Sequence, residues 1–118
     1  MGPWTCESRT TWSIIGDPAG PVVVLAHGFG YDQNFWRLVA PVLARDHRVV
    51  LFDHVGAGRS DPSAWDPGRY ASLHGHAEDV LDLCTGLDLH EVVFVGHSVS
   101  AMIGCCAGRQ SLSRPAGN

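Results

Sequence analysis

The chain has 118 residues, of which 45% are hydrophobic and 17% charged, and its formal net charge is −4. This length and composition predict one globular domain rather than a disordered segment. The negative charge and the lack of a Lys/Arg cluster argue against a basic surface for nucleic acid or for a membrane.

The sequence also predicts a location for the protein. No stretch of 18 apolar residues is present, so no transmembrane helix is expected, and the first residues lack the charged and apolar regions of a signal peptide. The four cysteines show no C-x-x-C spacing, and the pattern is typical of reduced thiols. We therefore expect a cytoplasmic protein that binds neither nucleic acid nor membrane.

Four apolar runs predict β-strands. A short strand is expected over residues 10–15, where it ends in a cluster of Gly, Asp and Pro. The run at residues 22–26 is continuously apolar, without alternation, and too short for a helix, and residues 48–52 and 92–95 are interpreted as two further strands of the same kind. This pattern predicts strands that are buried on both faces of a sheet.

Apolar residues at spacings of three and four predict three helices. The first begins near Asn34, with Asp32 or Asn34 as its N-cap, the second covers residues 73–87, and the third begins at Val99. The apolar face of the first helix would consist of Phe35, Leu38, Val39, Val42 and Leu43. The alternation of strands and helices predicts an α/β fold, with a mostly parallel sheet and helices on both faces.

A serine between two small residues follows the last predicted strand. Ser98 has Gly96 two positions before it and Ser100 two positions after it. A nucleophile elbow needs small residues at both positions, because its tight turn brings them against neighbouring backbone. A serine N-cap of the next helix is the alternative, and a cap makes no demand on residues 96 and 100. We interpret Ser98 as a candidate nucleophile.

A loop with two glycines, at residues 27–30, follows the second predicted strand. In acyl transfer, negative charge develops on a carbonyl oxygen, and two backbone N–H groups aimed at that oxygen stabilise it. The glycines beside Phe29 would let the loop turn the Phe29 N–H inward, and the Val99 N–H at the helix start would be the second donor. The alternative is a glycine turn with no further role.

The spacing of other motifs argues against two further kinds of site. Gly56 and Gly58 follow a predicted strand, but position 61 is Asp, so the G-x-G-x-x-G nucleotide pattern fails. The seven histidines include no H-E-x-x-H motif, and His74 and His76 would point to different faces of a helix. We expect no metal site, and we expect the His97 side chain to point into the protein rather than act as a base.

Residues 22–104 resemble the RsbQ-like branch of the α/β-hydrolases, which includes a bacterial stress-signalling hydrolase and the plant karrikin and strigolactone receptors. The matching positions are residues 27–30, 32–33, 36, 48–53, 56–58, 66, 69–70 and 94–104. The last segment is the most specific, because this branch itself uses Ser100 in place of the usual glycine. Tyr31 and His54 depart from the pattern in loops near the pocket, so the ligand preference stays open.

The resemblance implies that Ser98 is the nucleophile and that Phe29 and Val99 provide the oxyanion hole. It implies a small hydrophobic ester or lactone-like ligand, a signalling protein partner in some members, and no metal or organic cofactor. The family's lid and its catalytic Asp and His lie far downstream of the nucleophile, whereas 20 residues follow Ser98. We therefore expect the triad Asp and His, the lid and the C-terminal strands to be absent.

These expectations divide the chain into an N-terminal segment at residues 1–20, a partial α/β-hydrolase domain at residues 21–108 and a divergent, disordered tail at residues 109–118. We interpret the chain as a truncated serine hydrolase that is inactive because Ser98 lacks its base. Two alternatives stay open: a non-catalytic module that binds a ligand or partner in stress signalling, and a gene remnant without function. If the C-terminal strands are absent, the strand at residues 92–95 is expected to be an uncovered apolar edge of the sheet.

Overall fold

The computed structural model describes the backbone of residues 11–55 and 65–113, with side chains at all of these except residues 110–113. Within this part of the chain, four strands form one sheet: β1 (Thr11–Gly16), β2 (Val22–Ala26), β3 (Arg48–Asp53) and β4 (Val93–Gly96). Their order is β1-β3-β2-β4, in which β2 is parallel to both neighbours and β1 is antiparallel to β3. The predicted α/β fold with a mostly parallel sheet is confirmed.

Helices connect and follow these strands. They are a 3₁₀ turn (Gln33–Trp36), α1 (Ala40–Leu43), α2 (Leu73–Gly86) and α3 (Val99–Ser113). The Ser72 side chain caps α2, which agrees closely with the predicted helix over residues 73–87. Residues 109–113, which we predicted to belong to a divergent tail, continue α3, and residues 114–118 lie outside the described part. Among the described residues, no helix is both long and apolar enough to cross a membrane.

The single helix predicted from Asn34 is wrong, because the 3₁₀ turn ends at Trp36 and α1 starts again at Ala40. Pro41 explains the break: its ring would clash with the carbonyl four residues earlier inside a continuous helix, but it is tolerated in a first helical turn. The predicted cap is present, since the Asp32 carboxylate accepts a hydrogen bond from the Asn34 N–H at 2.9 Å. Three residues of the predicted apolar face are exposed, namely Leu38, Val39 and Val42.

Two helices, α2 and α3, cover one face of the sheet. The core there consists of Val24, Ala26, Val50, Phe52, Ala77, Val80, Leu83, Leu89, Ile103 and Ala107. Gly104 allows α3 to approach β4, because a Cβ at this position would lie 2.6 Å from the Phe94 ring. Ala107 of the same helix is buried in this core, whereas Ala101 is exposed.

The opposite face has a smaller cover, formed by the 3₁₀ turn and α1. Its cluster consists of Val23, Leu25, Trp36, Ala40, Val49 and Leu51. At the edge of the sheet, the register places Val93 of β4 beside Val23 and Val95 beside Leu25, on this same face. Val93 and Val95 are 57% and 38% exposed. Within the described residues, helices therefore lie on both faces, and the edge at β4 is apolar and uncovered.

Candidate active site

Ser98 lies in the sharp connection between β4 and α3. The strand ends at Gly96 and the helix begins at Val99. The φ angle of Ser98 is 59°, in the left-handed region that residues other than glycine adopt under constraint. The residue is exposed, and its carbonyl accepts a hydrogen bond from the Ala101 N–H at 3.0 Å. An ordinary N-cap residue has extended backbone angles, so this turn differs from a simple helix cap.

Gly96 and Ser100, each two positions from Ser98, are small for different reasons. A Cβ on Gly96 would lie 2.5 Å from the carbonyl carbon and oxygen of Ser100, so a side chain there would collide with the first turn of α3. Ser100 is fully buried, and its hydroxyl takes part in hydrogen bonds. The sequence indicates both positions by their size alone and gives no sign of this polar role.

Ser100 lies at the centre of a buried cluster with His27 and His54. The Ser100 hydroxyl donates to the His27 carbonyl and lies 2.7 Å from His54 Nε2, which is also 3.2 Å from that carbonyl oxygen. The His54 N–H donates to His27 Nε2 at 3.0 Å, and His27 Nδ1 lies 2.7 Å from the Gly28 carbonyl oxygen. Because His27 and His54 directly follow β2 and β3, the cluster joins the ends of two strands to the start of α3.

The hydrogen bonds of the cluster assign a tautomer to each ring. The Ser100 proton is donated to a carbonyl, so the Ser100 oxygen accepts from His54, whose own proton is therefore on Nε2. His27 Nε2 accepts a backbone N–H, which puts its ring proton on Nδ1. Burial, with smaller contributions from His27 and His76, lowers the pKa of His54 to about 3. The His54 ring is therefore neutral at neutral pH.

The loop after β2 lies directly beside the turn that carries Ser98. The His97 N–H donates to the Ala26 carbonyl at 3.0 Å, and a Cβ on Gly28 would lie 2.6 Å from His97 Nδ1. This close approach explains the glycine at position 28. His97 stacks on Phe35 with ring centroids 4.2 Å apart, so its ring is packed within the protein.

Three exposed aromatic residues, Phe29, Tyr31 and Trp65, form what we call the aromatic surface; they are 49%, 54% and 47% exposed. Phe29 packs against His76 with ring centroids 5.1 Å apart, and Trp65 stacks on Tyr70 at 4.9 Å. His76 also contacts the Tyr70 ring at 4.7 Å and the Trp65 ring at 6.2 Å. One histidine thus links the loop after β2 to the segment that precedes α2.

A buried carboxylate fixes that segment to α2. Arg69 Nη2 lies 2.7 Å from Asp79 Oδ1, and the Tyr70 hydroxyl donates to Asp79 Oδ2 at 2.7 Å. The Asp79 side chain is 2% exposed. Burial and the hydrogen bond to Asp79 raise the pKa of Tyr70, so its hydroxyl stays protonated and continues to donate. The resemblance pointed to Arg69 and Tyr70, but nothing in the sequence indicated Asp79.

No general base reaches Ser98 within the described residues. All seven histidines of the chain lie in this part, and none of the hydrogen bonds of their rings involves Ser98. The same stretches of chain contain no group of three or more His, Cys, Asp or Glu side chains that could hold a metal ion. The geometry therefore presents an exposed hydroxyl without a partner to accept its proton.

Comparisons with known proteins agree with this architecture. Residues 21–114 match the family profile described as the alpha/beta hydrolase fold. The chain is 48% identical over 109 residues to a probable esterase of Oryza sativa subsp. japonica, covering 92% of this chain and 39% of that protein. It is 44% identical over 94 residues to a strigolactone esterase of Arabidopsis thaliana, covering 80% of this chain and 34% of that protein.

A solved structure gives the same result. A hydrolase from Oleispira antarctica superposes with a TM-score of 0.86 and 41% sequence identity, covering 92% of this chain and 40% of that one. The chain spans less than half the length of each of these three proteins. By its profile match and these identities, the chain belongs to the α/β-hydrolase family, in the branch that contains the strigolactone esterases.

Proposed function

We propose that Ser98 is the nucleophile of a serine hydrolase that acts on a carboxylic ester or lactone. Its Oγ would attack the carbonyl carbon, the ester C–O bond would break to give an acyl-enzyme and an alcohol, and water would then release the acid. The observation that carries the proposal is the φ of 59° at an exposed serine between a strand and a helix. Such strain costs about 1–3 kcal/mol and clusters at active sites.

The backbone N–H groups of Phe29 and Val99 are the proposed oxyanion hole. Val99 is the first residue of α3, where backbone N–H groups have no partner within the helix. The hydrogen bond from His97 to the Ala26 carbonyl supports the pairing, because it holds the loop after β2 beside the turn with Ser98. Each correctly aimed donor would be worth about 2.7–4 kcal/mol in the transition state.

The proposed ligand is a small, hydrophobic ester or lactone. The aromatic surface supports this proposal, because Phe29 and Tyr31 are exposed on the loop that lies beside the turn with Ser98, and exposed rings bind apolar molecules. A relative named as a strigolactone esterase agrees with a lactone. The chemistry requires neither a metal nor an organic cofactor. We also propose, on the resemblance of residues 94–104, that the chain is RsbQ-like, and that its location is cytoplasmic.

We further propose that the 118-residue chain by itself is inactive or nearly so. A serine hydroxyl is a weak nucleophile until a base removes its proton, and loss of the base costs several orders of magnitude in rate. In the described residues no imidazole ring or carboxylate forms a hydrogen bond with the Ser98 hydroxyl, and the remaining residues contain no histidine.

A non-catalytic binding module is the second candidate. The exposed aromatic surface, together with a serine that has no base among the described residues, favours it, since such a chain keeps a surface for a ligand but loses the reaction. Such a module would bind the same hydrophobic ester or lactone and pass the signal to a protein partner in a stress response. A cooperative thermal melt together with saturable binding of a signalling protein partner by the purified chain would favour the module, because an inactive hydrolase fragment requires neither.

A fluorophosphonate probe tests the proposed nucleophile. We expect slow modification of Ser98, identified by peptide mass spectrometry, and no modification at that site in Ser98→Ala. Ser72→Ala is the matched control, because Ser72 is another exposed serine but has the extended φ of −140° of an ordinary helix cap. Equal modification of Ser72 and Ser98 would contradict the proposal. Modification at the rate of a full-length relative would contradict the predicted inactivity alone.

A further inference from the structure

We propose that His54 is a positioning residue that holds the turn around Ser98 in its strained form through the hydroxyl of Ser100. The inference rests on the proposed role of Ser98, and it adds a residue that the sequence places outside the motif. His54 is 1% exposed and lies at the end of β3, 46 positions before Ser100. It touches no part of the proposed reacting atoms, so its action is indirect.

The first step is the connection from His54 to the turn. His54 Nε2 lies 2.7 Å from Ser100 Oγ, and the Ser100 N–H donates to the His97 carbonyl at 3.1 Å. That backbone hydrogen bond closes the turn on both sides of Ser98. A constraint on the Ser100 side chain is therefore a constraint on the residues that set the φ angle of Ser98.

The second step is the direction of the hydrogen bonds. The Ser100 proton goes to the His27 carbonyl, which leaves the Ser100 oxygen as a buried acceptor that needs a donor. His54 Nε2 supplies that donor and lies near the same carbonyl. The three groups satisfy each other only when His54 presents an N–H at this position, so the nitrogen matters and not just the ring.

The third step is the distinction from a packing role. The His54 ring also packs against Phe52 and Phe29, with ring centroids 5.0 and 5.8 Å away. In His54→Phe, an aromatic ring of similar size would keep these contacts but could not donate to Ser100. In His54→Gln, the side-chain amide would bring an N–H near the position of Nε2 but would lose the ring. A packing role and a positioning role thus predict opposite rankings of these two variants.

The experiment compares His54→Phe, His54→Gln, Ser100→Ala and the double variant with the unmodified chain. One readout is the rate of fluorophosphonate modification at Ser98. The other is the intraresidue NOE cross-peak between the amide proton and Hα of Ser98 in an NMR spectrum, which is strong at positive φ because the two protons are close together. Val80→Ala is the control for stability, because Val80 of α2 is buried in the core and forms none of the hydrogen bonds of the cluster. The rate at which the probe modifies Ser98 in Val80→Ala should equal the rate in the unmodified chain.

We expect His54→Phe and Ser100→Ala each to slow modification by about tenfold to a hundredfold and to weaken the cross-peak. The double variant should be no slower than either single one, and His54→Gln should retain most of the rate. Equal rates and cross-peaks in His54→Phe and the unmodified chain would overturn the proposal. If His54→Phe fails to fold, Ser100→Ala decides by the same two readouts.

The two readouts separate this inference from the proposed function. If Ser98 reacts in none of the chains, the proposed nucleophile is wrong, while the cross-peak still decides the role of His54. Loss of the cross-peak in His54→Phe together with its retention in His54→Gln then supports positioning. Retention of the cross-peak in His54→Phe together with its loss in His54→Gln shows that the His54 ring has a packing role alone.

Discussion

Gly96 and Ser100 approach each other so closely that a Cβ on Gly96 would lie 2.5 Å from the Ser100 carbonyl carbon. The atoms that it would meet belong to the backbone of α3, which cannot rotate away as a side chain can. A larger residue at position 96 would therefore separate the strand from the helix that follows it. The turn that carries Ser98 depends on glycine at this position.

Gly96→Ala is expected to lower the free energy of unfolding by about 1–3 kcal/mol, because the methyl group forces α3 away from β4. It should also slow the modification of Ser98. Urea denaturation followed by circular dichroism measures the first effect. Gly108→Ala is the control on the same helix, where a Cβ would meet nothing within 4 Å, and it should be stabilising by about 0.5–1 kcal/mol. A Gly96→Ala chain as stable as the original would refute this contact.

Gly104→Ala should destabilise the chain through a different contact, because its Cβ would lie 2.6 Å from the Phe94 ring. The neighbour here is a side chain, so a smaller residue can relieve the clash. We expect the double variant with Phe94→Leu to lose less stability than the sum of the single losses, by about 0.5–3 kcal/mol. Thermal melting of the four chains measures this coupling, and strict additivity would show that the two residues do not touch.

Asp79 is expected to contribute more stability than either of its partners. Asp79→Ala removes the carboxylate that binds Arg69 and Tyr70, at a cost of about 3 kcal/mol, whereas Tyr70→Phe removes one hydrogen bond and costs about 1 kcal/mol. Urea denaturation at pH 7 gives both values. The opposite order would contradict the larger contribution that we assign to the Asp79 carboxylate.

Stability is expected to fall in mild acid because of His54. Burial lowers the pKa of His54 to about 3 in the folded chain, against 6.5 for the ordinary group, and burial also lowers the pKa of His76. Between these two pH values the unfolded chain binds a proton that the folded chain excludes. Titration of His54 therefore leaves the free energy of unfolding unchanged above pH 6.5. Below that pH it lowers the free energy of unfolding by about 1.4 kcal/mol per pH unit.

Urea denaturation of the original chain and of His54→Gln between pH 7.5 and pH 4.5 checks this prediction. The difference between the two slopes isolates His54 from the other titrating groups. Since Gln does not titrate, its slope should be shallower. Identical slopes would mean that His54 is protonated equally in the folded and the unfolded chain.

The uncovered edge at β4 is expected to cause association. Val93 is 57% exposed on the sheet face that, among the described residues, the 3₁₀ turn and α1 cover, and an apolar edge strand pairs readily with other chains. Val93→Lys should therefore increase the monomer fraction in analytical ultracentrifugation without loss of secondary structure. Phe94→Lys is the contrasting variant, because Phe94 packs against the core on the other face and its replacement should unfold the chain. Unchanged association in Val93→Lys would exclude this edge as the cause.

Most of the sheet could be predicted from the sequence, because the burial of β2 and β3 on both faces leaves continuous apolar runs. Helix α2 could be predicted for a similar reason, since its apolar spacing is unbroken. The helix from Asn34 failed at Pro41, where local backbone chemistry overrides the periodicity.

The candidate site divides in the same way. Gly96, Ser98 and Ser100 lie within one short segment, so their size and spacing reveal a tight turn. The partners of Ser100 could not be found in this way, because His54 and His27 lie 46 and 73 positions away and meet it only in the folded sheet. Histidines carry no sign in the sequence of whether they will be buried and neutral or exposed. Asp79 was missed for a different reason, because Arg69 and Tyr70 reach it from the loop before α2 and the contact follows no helical spacing.

A crystal structure of the chain after reaction with a fluorophosphonate tests the central claim most directly. The account predicts a phosphorus–oxygen bond to Ser98 Oγ, a positive φ at Ser98, and a phosphoryl oxygen about 2.7–3.1 Å from the backbone nitrogens of Phe29 and Val99. An adduct whose phosphoryl oxygen faces solvent, on a Ser98 with the extended backbone of a helix cap, would contradict it.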